Sequence, residues 1–406
     1  MLAAGLFVFP VVGAMAKQAM APLAIALAAA VLAATLWRNR RAALPSRPVG
    51  LLFAAFLGYV AAVHPPSEAD TSSLSEIIEK LGMLAVALWL AAAGWTRIAA
   101  TARLDRVALW ALGGLAVGSL LLLIELGFDA PLHRLSDGIG PAVTVDAARY
   151  NRPAVALLLL SLPLAGLLAR RVGKAPAMAA VLLGVAPVAG GDAAAGWVAA
   201  AVAFAVYAGA RRRPDLVLVV GATLTVAMVV AAPPILTSAY RIATRYEIAM
   251  PLSFADRLEI WDHAAGAVAD APLLGHGLGA VRQLPLSDEQ RARYKFHKAP
   301  STHAHNAALQ IWVEFGAVGI AAALALLGIA AAAIRRMDRP AQATALAATA
   351  GLLVIGMLSF GVWQETWLGL IGVTVALIRL AALPVQPASV QPPPGARPPA
   401  APEPSA

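Results

Sequence analysis

The chain has 406 residues, of which 60% are hydrophobic and only 13% are charged. A soluble globular domain carries about 25% charged residues, so this composition excludes an ordinary water-soluble enzyme. The net charge of +9 does not indicate a nucleic-acid partner, because the basic residues form short clusters between apolar segments.

Apolar runs of about 20 residues, enough to cross a roughly 30 Å hydrocarbon core as a helix, recur along the whole chain. We therefore predict an all-α polytopic membrane protein with about twelve transmembrane helices. The predicted spans are residues 2–16, 19–37, 48–63, 77–96, 107–126, 153–170, 175–191, 193–210, 214–236, 305–334, 341–361 and 363–380. The N-terminal run lacks the features of a removable signal and is interpreted as the first span.

Basic clusters follow the even-numbered spans, which is typical of cytoplasmic loops and predicts that both termini are cytoplasmic. They are Arg38, Arg40 and Arg41; Arg97, Arg103 and Arg106; Arg170, Arg171 and Lys174; Arg211 to Arg213; and Arg335, Arg336 and Arg339. The sequence has no cysteine, which excludes disulfides, thiolate nucleophiles and cysteine-based metal sites.

The domain organisation follows from these spans. Residues 1–236 hold spans one to nine, 237–304 form one large loop on the non-cytoplasmic side, and 305–383 hold spans ten to twelve. Long loops are usually functional, and this one is predicted to contain a helix over residues 253–268 that Ser253 caps. Residues 384–406 contain nine prolines and are predicted to be a disordered cytoplasmic tail.

Arginines gather at the outer boundary of the predicted membrane. Arg241 and Arg245 share one helix face, Arg257 opens the loop helix, and Arg149 and Arg152 precede span six. Guanidinium groups match phosphate oxygens, so the cluster indicates a site for a membrane-anchored diphosphate. Binding of lipid headgroups or simple solvation is the alternative for any single arginine.

Polar side chains also mark the start of span ten. His305 and Asn306 are predicted in its first turn, where the helix dipole favours a neutral imidazole that can act as a general base. Asn306, Gln310 and Glu314 recur every four residues and share one face, which points to a cavity. Alternatively, this stripe only ties neighbouring helices together.

Two further patterns are given a simpler interpretation. His303 and His305 form an H-x-H pair, but no partner at a fixed spacing accompanies them, so no metal site is predicted. The glycine-rich segment Gly275 to Gly279 is predicted to be a tight turn, because no strand precedes it as in a phosphate-binding loop.

Three motifs together resemble the O-antigen ligase/polymerase superfamily. They are RLEIW at Arg257–Trp261, PLLGHGLG at Pro272–Gly279 and HNAALQIWVEFGAVG at His305–Gly319. The specific motifs cover about 65 residues, while the resemblance in predicted topology extends over nearly the whole chain.

The resemblance implies a GT-C-like glycosyltransferase of the Gram-negative inner membrane, with its large loop in the periplasm. Such an enzyme transfers a glycan from undecaprenyl diphosphate to a sugar hydroxyl of lipid A–core, without a metal or another cofactor. It also implies that His305 is the essential histidine and that Arg257 contacts the diphosphate, with His303, Asn306, Gln310 and Glu314 in support.

Where the family often carries a Ser-Arg pair, this chain has Gly191 and Asp192. We expect Arg149, Arg152, Arg241 or Arg245 to take over part of that role. Three alternative functions stay open at this point: an O-antigen polymerase, a protein O-oligosaccharyltransferase, and a transporter of lipid-linked glycans.

Overall fold

The computed structural model describes residues 2–38, 46–63, 71–92, 103–138, 140 and 143–384. Within these ranges all regular structure is helical, which confirms the predicted all-α class. Arg40, Arg41, Arg97 and the proline-rich tail beyond Pro384 lie outside them. The α-helices are α1 (Leu2–Met15), α2 (Met20–Arg38), α3 (Arg47–Val63), α4 (Thr71–Ala92), α5 (Leu104–Gly127), α6 (Pro131–Asp137), α7 (Asn151–Arg171), α8 (Lys174–Ala189), α9 (Ala194–Arg212), α10 (Pro214–Val230), α11 (Ala232–Arg245), α12 (Leu252–Asp270), α13 (Asp288–Arg293), α14 (Ala307–Arg335), α15 (Arg339–Leu358) and α16 (Glu365–Ala381).

Several of these helices can cross a membrane. By length and composition α2, α5, α7, α9, α14 and α15 qualify, and α10 with α11 adds a seventh span if the bent pair is counted as one. Helices α1, α3 and α8 are apolar but shorter. A helix lies at each of the twelve predicted positions. The chain is thus a multi-pass helical protein, while the count of twelve spans and the GT-C-like architecture stay predictions.

Helix α7 forms the centre of the bundle. Its side chains are buried without interruption from Pro153 to Leu164, and it packs against α1, α5, α8, α15 and α16. A helix that is apolar on all sides is buried in a protein core or in lipid, and here neighbouring helices surround it. Arg152 stands immediately before this buried run, so the core of the bundle fixes the position of its backbone.

The predicted ninth span, 214–236, is not one straight helix. It breaks at Ala231 into α10 and α11, whose axes differ by 73°. Pro233 and Pro234 explain the break, because proline lacks the N–H that would continue the helical ladder. The carbonyl of Val229 is accordingly free to accept a hydrogen bond of 2.9 Å from the Trp312 indole.

The large loop is locked into a break in α14. At Gly316 the backbone leaves helical geometry, with φ 55° and ψ −151°. The segment 272–279 fills the gap: His276 N–H donates to Val313 O (2.8 Å), Gly277 N–H to Glu314 O (2.9 Å), and Ala317 N–H to Pro272 O (2.9 Å). Backbone groups freed by the break thus find partners in the loop. The turn predicted at Gly275 to Gly279 is present, with positive φ at its three glycines.

Helix α12 is the central element of the loop. The helix predicted over 253–268 is present as Leu252–Asp270, but the predicted cap was wrong. Pro251 occupies the N-cap position, no side chain caps the helix, and Ser253 lies inside its first turn. The N-cap residue must have a non-helical backbone, and Pro251 has the extended conformation that this position requires.

A buried carboxylate ties α12 to the far end of the loop. Glu259 accepts hydrogen bonds from the backbone N–H groups of Lys295 (2.8 Å), Phe296 (2.7 Å) and His297 (2.7 Å). Three residues further along α12, about one turn from Glu259, Asp262 pairs with Arg293 at 2.7 Å. These contacts give the loop a folded core that includes the residues preceding α14.

Candidate functional site

His305 lies just outside the helix that the sequence assigned to it. Helix α14 begins at Ala307, and Asn306 is its N-cap, with its side-chain oxygen accepting from Leu309 N–H at 2.9 Å. The amide of Asn306 also donates to Met357 O at 3.0 Å. The prediction that both residues form the first turn was therefore wrong, because asparagine at this position caps the helix instead.

The backbone at His305 is unusual. Its φ of 52° places it in the left-handed region, which non-glycine residues rarely occupy. Such strain persists only where neighbouring contacts determine the conformation, and it is concentrated at functional sites. Trp261 supplies one such contact, since its indole donates to the carbonyl of Ala304 at 2.9 Å.

A backbone carbonyl sets the tautomer of His305. Its Nδ1 lies 2.9 Å from Ser359 O, which can only accept, so Nδ1 must carry the proton. In the neutral ring Nε2 then has the lone pair, and no group among the described residues forms a hydrogen bond with it. The imidazole is therefore arranged to accept a proton at Nε2.

Burial lowers the pKa of His305 to about 4, and the positive charges of Arg257 and Arg152 act in the same direction. The hydrogen bond to Ser359 opposes this shift. The ring is thus neutral near pH 7, as expected, but the main cause is desolvation, with the arginine charges contributing.

His303 packs against His305. Its ring centroid lies 4.0 Å from that of His305, and its Nδ1 lies 2.8 Å from Thr302 Oγ1. Burial lowers its pKa to about 3, and the charges of His305, Arg152, Arg257 and Arg282 act in the same direction. Both rings are therefore uncharged among several guanidinium groups.

Two of the predicted arginines, Arg152 and Arg257, converge on the histidines. Both side chains are half-buried, and no carboxylate among the described residues forms an ion pair with either. Burial lowers the pKa of Arg257, and the neighbouring charge of Arg152 adds to that shift, while the charge of Asp256 opposes it. Two adjacent cations without a salt bridge among the described residues form a site that a phosphate group would neutralise.

The aromatic ring of Phe360 helps to hold Arg152, whose guanidinium carbon lies 5.4 Å from the ring centroid. Such a cation–π contact orients the charged group without neutralising it. Helix α12 positions the other arginine, because Arg257 and Trp261 are one turn apart and Trp261 is bonded to Ala304.

The other three predicted arginines make different contacts. Arg149 is exposed and bonds to His133 of α6. Arg241 and Arg245 are exposed on α11, with Arg245 lying 5.7 Å from the ring centroid of Tyr246. None of their described contacts involves His305. Of the four arginines considered for the role of the missing Ser-Arg pair, Arg152 is the one whose charge acts on His305.

Asn306 bonds to the end of α15, and Gln310 and Glu314 bond to the segment between α15 and α16. Gln310 Nε2 donates to Glu314 Oε1 at 2.9 Å, and the indole of Trp363 donates to Glu314 Oε2. Gln310 Oε1 accepts from the backbone N–H of Val362 at 3.0 Å. These side chains are buried and have no direct contact with His305 among the described hydrogen bonds.

Sequence reasoning missed several members of the site. The positive charge of Arg282 acts on His303, and Arg282 pairs with Glu76 of α4 at 2.8 Å, but in the sequence it is one basic loop residue among several. Ser359 contributes a backbone carbonyl, which no residue type encodes, and Phe360 resembles any other apolar residue near a helix end. Within the described ranges no group of three or more His, Asp or Glu side chains is placed to hold a metal ion.

Comparison with known proteins gives a family-level similarity for part of the chain. Residues 178–324 match the family model described as O-antigen ligase. This part of the chain is similar to O-antigen ligases. The matched region includes Arg257 and His305, whereas Arg152 and the segment after α15 lie outside it.

Curated relatives agree with this assignment. The chain is 32% identical over 120 residues to the putative polysaccharide ligases of Rickettsia conorii and Rickettsia bellii, which is 29% of this chain and 29% of each relative. It is 29% identical over 136 residues to that of Rickettsia typhi, which is 32% of each chain. The similarity is therefore confined to about a third of each chain, and most of this chain lies outside these matches.

Proposed function

We propose that this protein is an O-antigen ligase that transfers a glycan from undecaprenyl diphosphate to a sugar hydroxyl of lipid A–core. The similarity to O-antigen ligases and the polysaccharide ligase names of the relatives support a transferase of lipid-linked glycans. In this proposal the protein lies in the bacterial inner membrane with both termini in the cytoplasm. The site around His305 then faces the periplasm, where both lipids are available.

The reaction proceeds as a single displacement at the anomeric carbon. His305 Nε2 accepts the proton of the acceptor hydroxyl while its oxygen attacks, and the bond to the diphosphate oxygen breaks on the opposite face. The configuration at the anomeric carbon therefore inverts. Arg257 and Arg152 stabilise the negative charge that develops on the leaving undecaprenyl diphosphate.

The low pKa of His305 fits this order of events. In the free protein, Arg257 and Arg152 disfavour a protonated ring, in addition to the effect of burial. A bound diphosphate compensates the two positive charges and raises the pKa of the ring. The donor thus makes His305 a stronger base at the moment when the acceptor needs one.

One observation supports the proposal most directly. The neutral His305 ring, with Nδ1 bonded to Ser359 O and Nε2 available, lies near two half-buried guanidinium groups that form no salt bridge among the described residues. A base and an anion site next to each other are what glycan transfer from a diphosphate requires. Arg149, Arg241 and Arg245 are proposed to contact more distant parts of the donor lipid.

The test uses purified protein with glycan-loaded undecaprenyl diphosphate and lipid A–core. His305→Asn should reduce the transfer rate by about 10²-fold or more. The fold should be preserved, because asparagine tolerates the left-handed backbone at this position. Arg257→Ala should lose transfer and donor binding. Arg291→Ala, which removes an exposed arginine of the same loop, is the matched control and should stay active.

A competition assay separates the related functions. Lipid A–core, a second lipid-linked glycan and a hydroxyl-bearing peptide are offered together, and the products are separated by mass. Preferential modification of lipid A–core is expected. Preferential elongation of the lipid-linked glycan would instead identify a polymerase, and modification of the peptide would identify an oligosaccharyltransferase.

Full transfer activity of His305→Asn in the first assay would show that His305 is not the general base.

A further inference from the structure

A six-residue segment between α15 and α16, residues 359–364, is the common support of the two histidines. In this segment the carbonyl of Ser359 accepts a hydrogen bond from the Nδ1–H of His305, with 2.9 Å between Nδ1 and O. Gly361 lies directly under His303, so that a Cβ added there would stand 2.7 Å from the Cβ of His303. The side-chain amide of Gln364 reaches His303 Nε2 at 3.4 Å. Small shifts of this segment would therefore move or rotate both rings.

The segment is itself held from α14. Gln310 Oε1 accepts the backbone N–H of Val362 at 3.0 Å, and Glu314 Oε2 accepts the indole N–H of Trp363. Since Gln310 uses its oxygen for Val362, its Nε2 must point the other way, where it donates to Glu314 Oε1 at 2.9 Å. The contacts thus form one connected set with defined donors and acceptors.

These contacts are isolated from solvent. Glu314 is 0% exposed, Gln310 3% and Trp363 7%. Hydrogen bonds in such surroundings are strong and directional, and an unpaired partner is costly. The set is therefore rigid enough to transmit a position from α14 to the segment 359–364.

We propose that Glu314 and Gln310 are positioning residues for His305 and act through Trp363, Val362 and the Ser359 carbonyl. This inference rests on the proposed function, in which His305 is the base. The two residues do not touch the substrate. They keep the carbonyl of Ser359 at the distance and angle that leave the lone pair of His305 on Nε2.

The first measurement needs no substrate. Histidines are labelled selectively with ¹⁵N, and the tautomer of His305 is read from its nitrogen chemical shifts in the full-length protein. The wild type should show Nδ1–H, and Trp363→Phe or Gln310→Met should shift the population toward Nε2–H. An unchanged tautomer in both variants would overturn the proposal, whatever the protein catalyses.

The matched control is Trp312→Phe. Trp312 lies on α14 between Gln310 and Glu314, and like Trp363 it donates its indole N–H in a hydrogen bond, but the acceptor is the backbone carbonyl of Val229 in α10. Trp312→Phe should leave the His305 tautomer and the transfer rate unchanged. If it altered the tautomer as much as Trp363→Phe, a general loosening of α14 would explain both results, and the specific connection would be rejected.

The second measurement is a double-mutant cycle on transfer. Trp363→Phe alone should reduce kcat by about 10–100-fold, which is the cost of misplacing a reacting group. In the His305→Asn background the same change should alter the residual rate by less than about twofold, because the group it positions is absent. Equal losses in both backgrounds would mean that Trp363 supports only the fold. Full activity of His305→Asn would contradict the proposed function, and the tautomer measurement would then decide on the positioning contact alone.

Discussion

At the scale of single residues, the candidate site combines an uncharged imidazole with two arginines that form no salt bridge among the described residues. Protonation of His305 is disfavoured in the free protein because its ring is buried and the charges of Arg257 and Arg152 act on it. In the proposed reaction the same two guanidinium groups bind the diphosphate, which offsets this effect. Binding of the donor and activation of the base are therefore expected to be coupled.

This coupling predicts a distinctive pH dependence. A general base must be neutral, so the rate falls when pH drops through its pKa. With a pKa of about 4 for His305 in the free protein, kcat/KM for the donor should stay level down to about pH 5 and decline below it. The decline in kcat should begin at a higher pH, because the bound diphosphate raises the pKa. Initial rates between about pH 4 and pH 8 test this, and a decline in kcat/KM near pH 6.5 would contradict it.

Glu259 provides a second prediction at this scale. Its carboxylate accepts three backbone N–H groups, from Lys295, Phe296 and His297. Hydrogen bonds to a charged group contribute roughly 1.5–3 kcal/mol each, so Glu259→Ala should open this part of the loop. Hydrogen exchange at these three amides, followed by mass spectrometry, should accelerate at least about tenfold. Glu289→Ala, an exposed carboxylate of the same loop, should leave their exchange unchanged.

At the scale of elements, the contact between the segment 272–279 and the break in α14 depends on two glycines. A Cβ at Gly275 would lie 2.4 Å from the backbone of Glu314, and one at Gly316 would lie 2.5 Å from the backbone of Leu273. Both residues also have positive φ, at 72° and 55°. Backbone atoms cannot yield as a flexible side chain does, so both positions require glycine.

Gly275→Ala and Gly316→Ala should therefore each lower the free energy of unfolding by more than about 1 kcal/mol. Gly266→Ala is the matched control, because Gly266 is an exposed residue of α12 with nothing near its added Cβ. Alanine there should stabilise the helix by up to about 1 kcal/mol. Thermal unfolding in detergent compares the three, and a neutral Gly275→Ala would refute the close packing described here.

Much of the element map was predictable, because a span needs a long apolar run and such runs are visible in a sequence. The break at Ala231 was signalled by Pro233 and Pro234, but a 73° bend depends on what α11 packs against. Its face of Ala232, Leu236 and Tyr240 is buried and packs on α12, which a linear pattern does not reveal.

The site was predictable only in part. The motif marks His305 and Arg257, and helical spacing places Gln310 and Glu314 on one face. The group that sets the tautomer is the backbone carbonyl of Ser359, 54 positions further along the chain, and a carbonyl leaves no trace in residue identity. Arg152 could be chosen from four candidate arginines only when the fold had placed the start of α7 beside the loop.

At the scale of the whole molecule, the proposed topology can be tested with little interference, because the sequence contains no cysteine. Glu289→Cys lies in the large loop and Arg212→Cys at the end of α9, and both positions are exposed. A thiol reagent that cannot cross the inner membrane should label Glu289→Cys in intact cells after the outer membrane is opened. It should label Arg212→Cys only after lysis. The reverse pattern would place the site around His305 in the cytoplasm.

The break at Gly316 divides α14 into two parts that respond differently to the membrane. The 29 residues of α14 would extend about 44 Å if straight, well beyond a hydrocarbon core of roughly 30 Å. The part beyond Gly316 is about 28 Å long and matches that thickness by itself. The loop segment 272–279 bonds to α14 on both sides of the break, at Val313, Glu314 and Ala317, so a thicker or thinner bilayer can tilt only the turns beyond these contacts. The orientation of the His305 ring would then stay the same when the cell changes the acyl chains of its membrane.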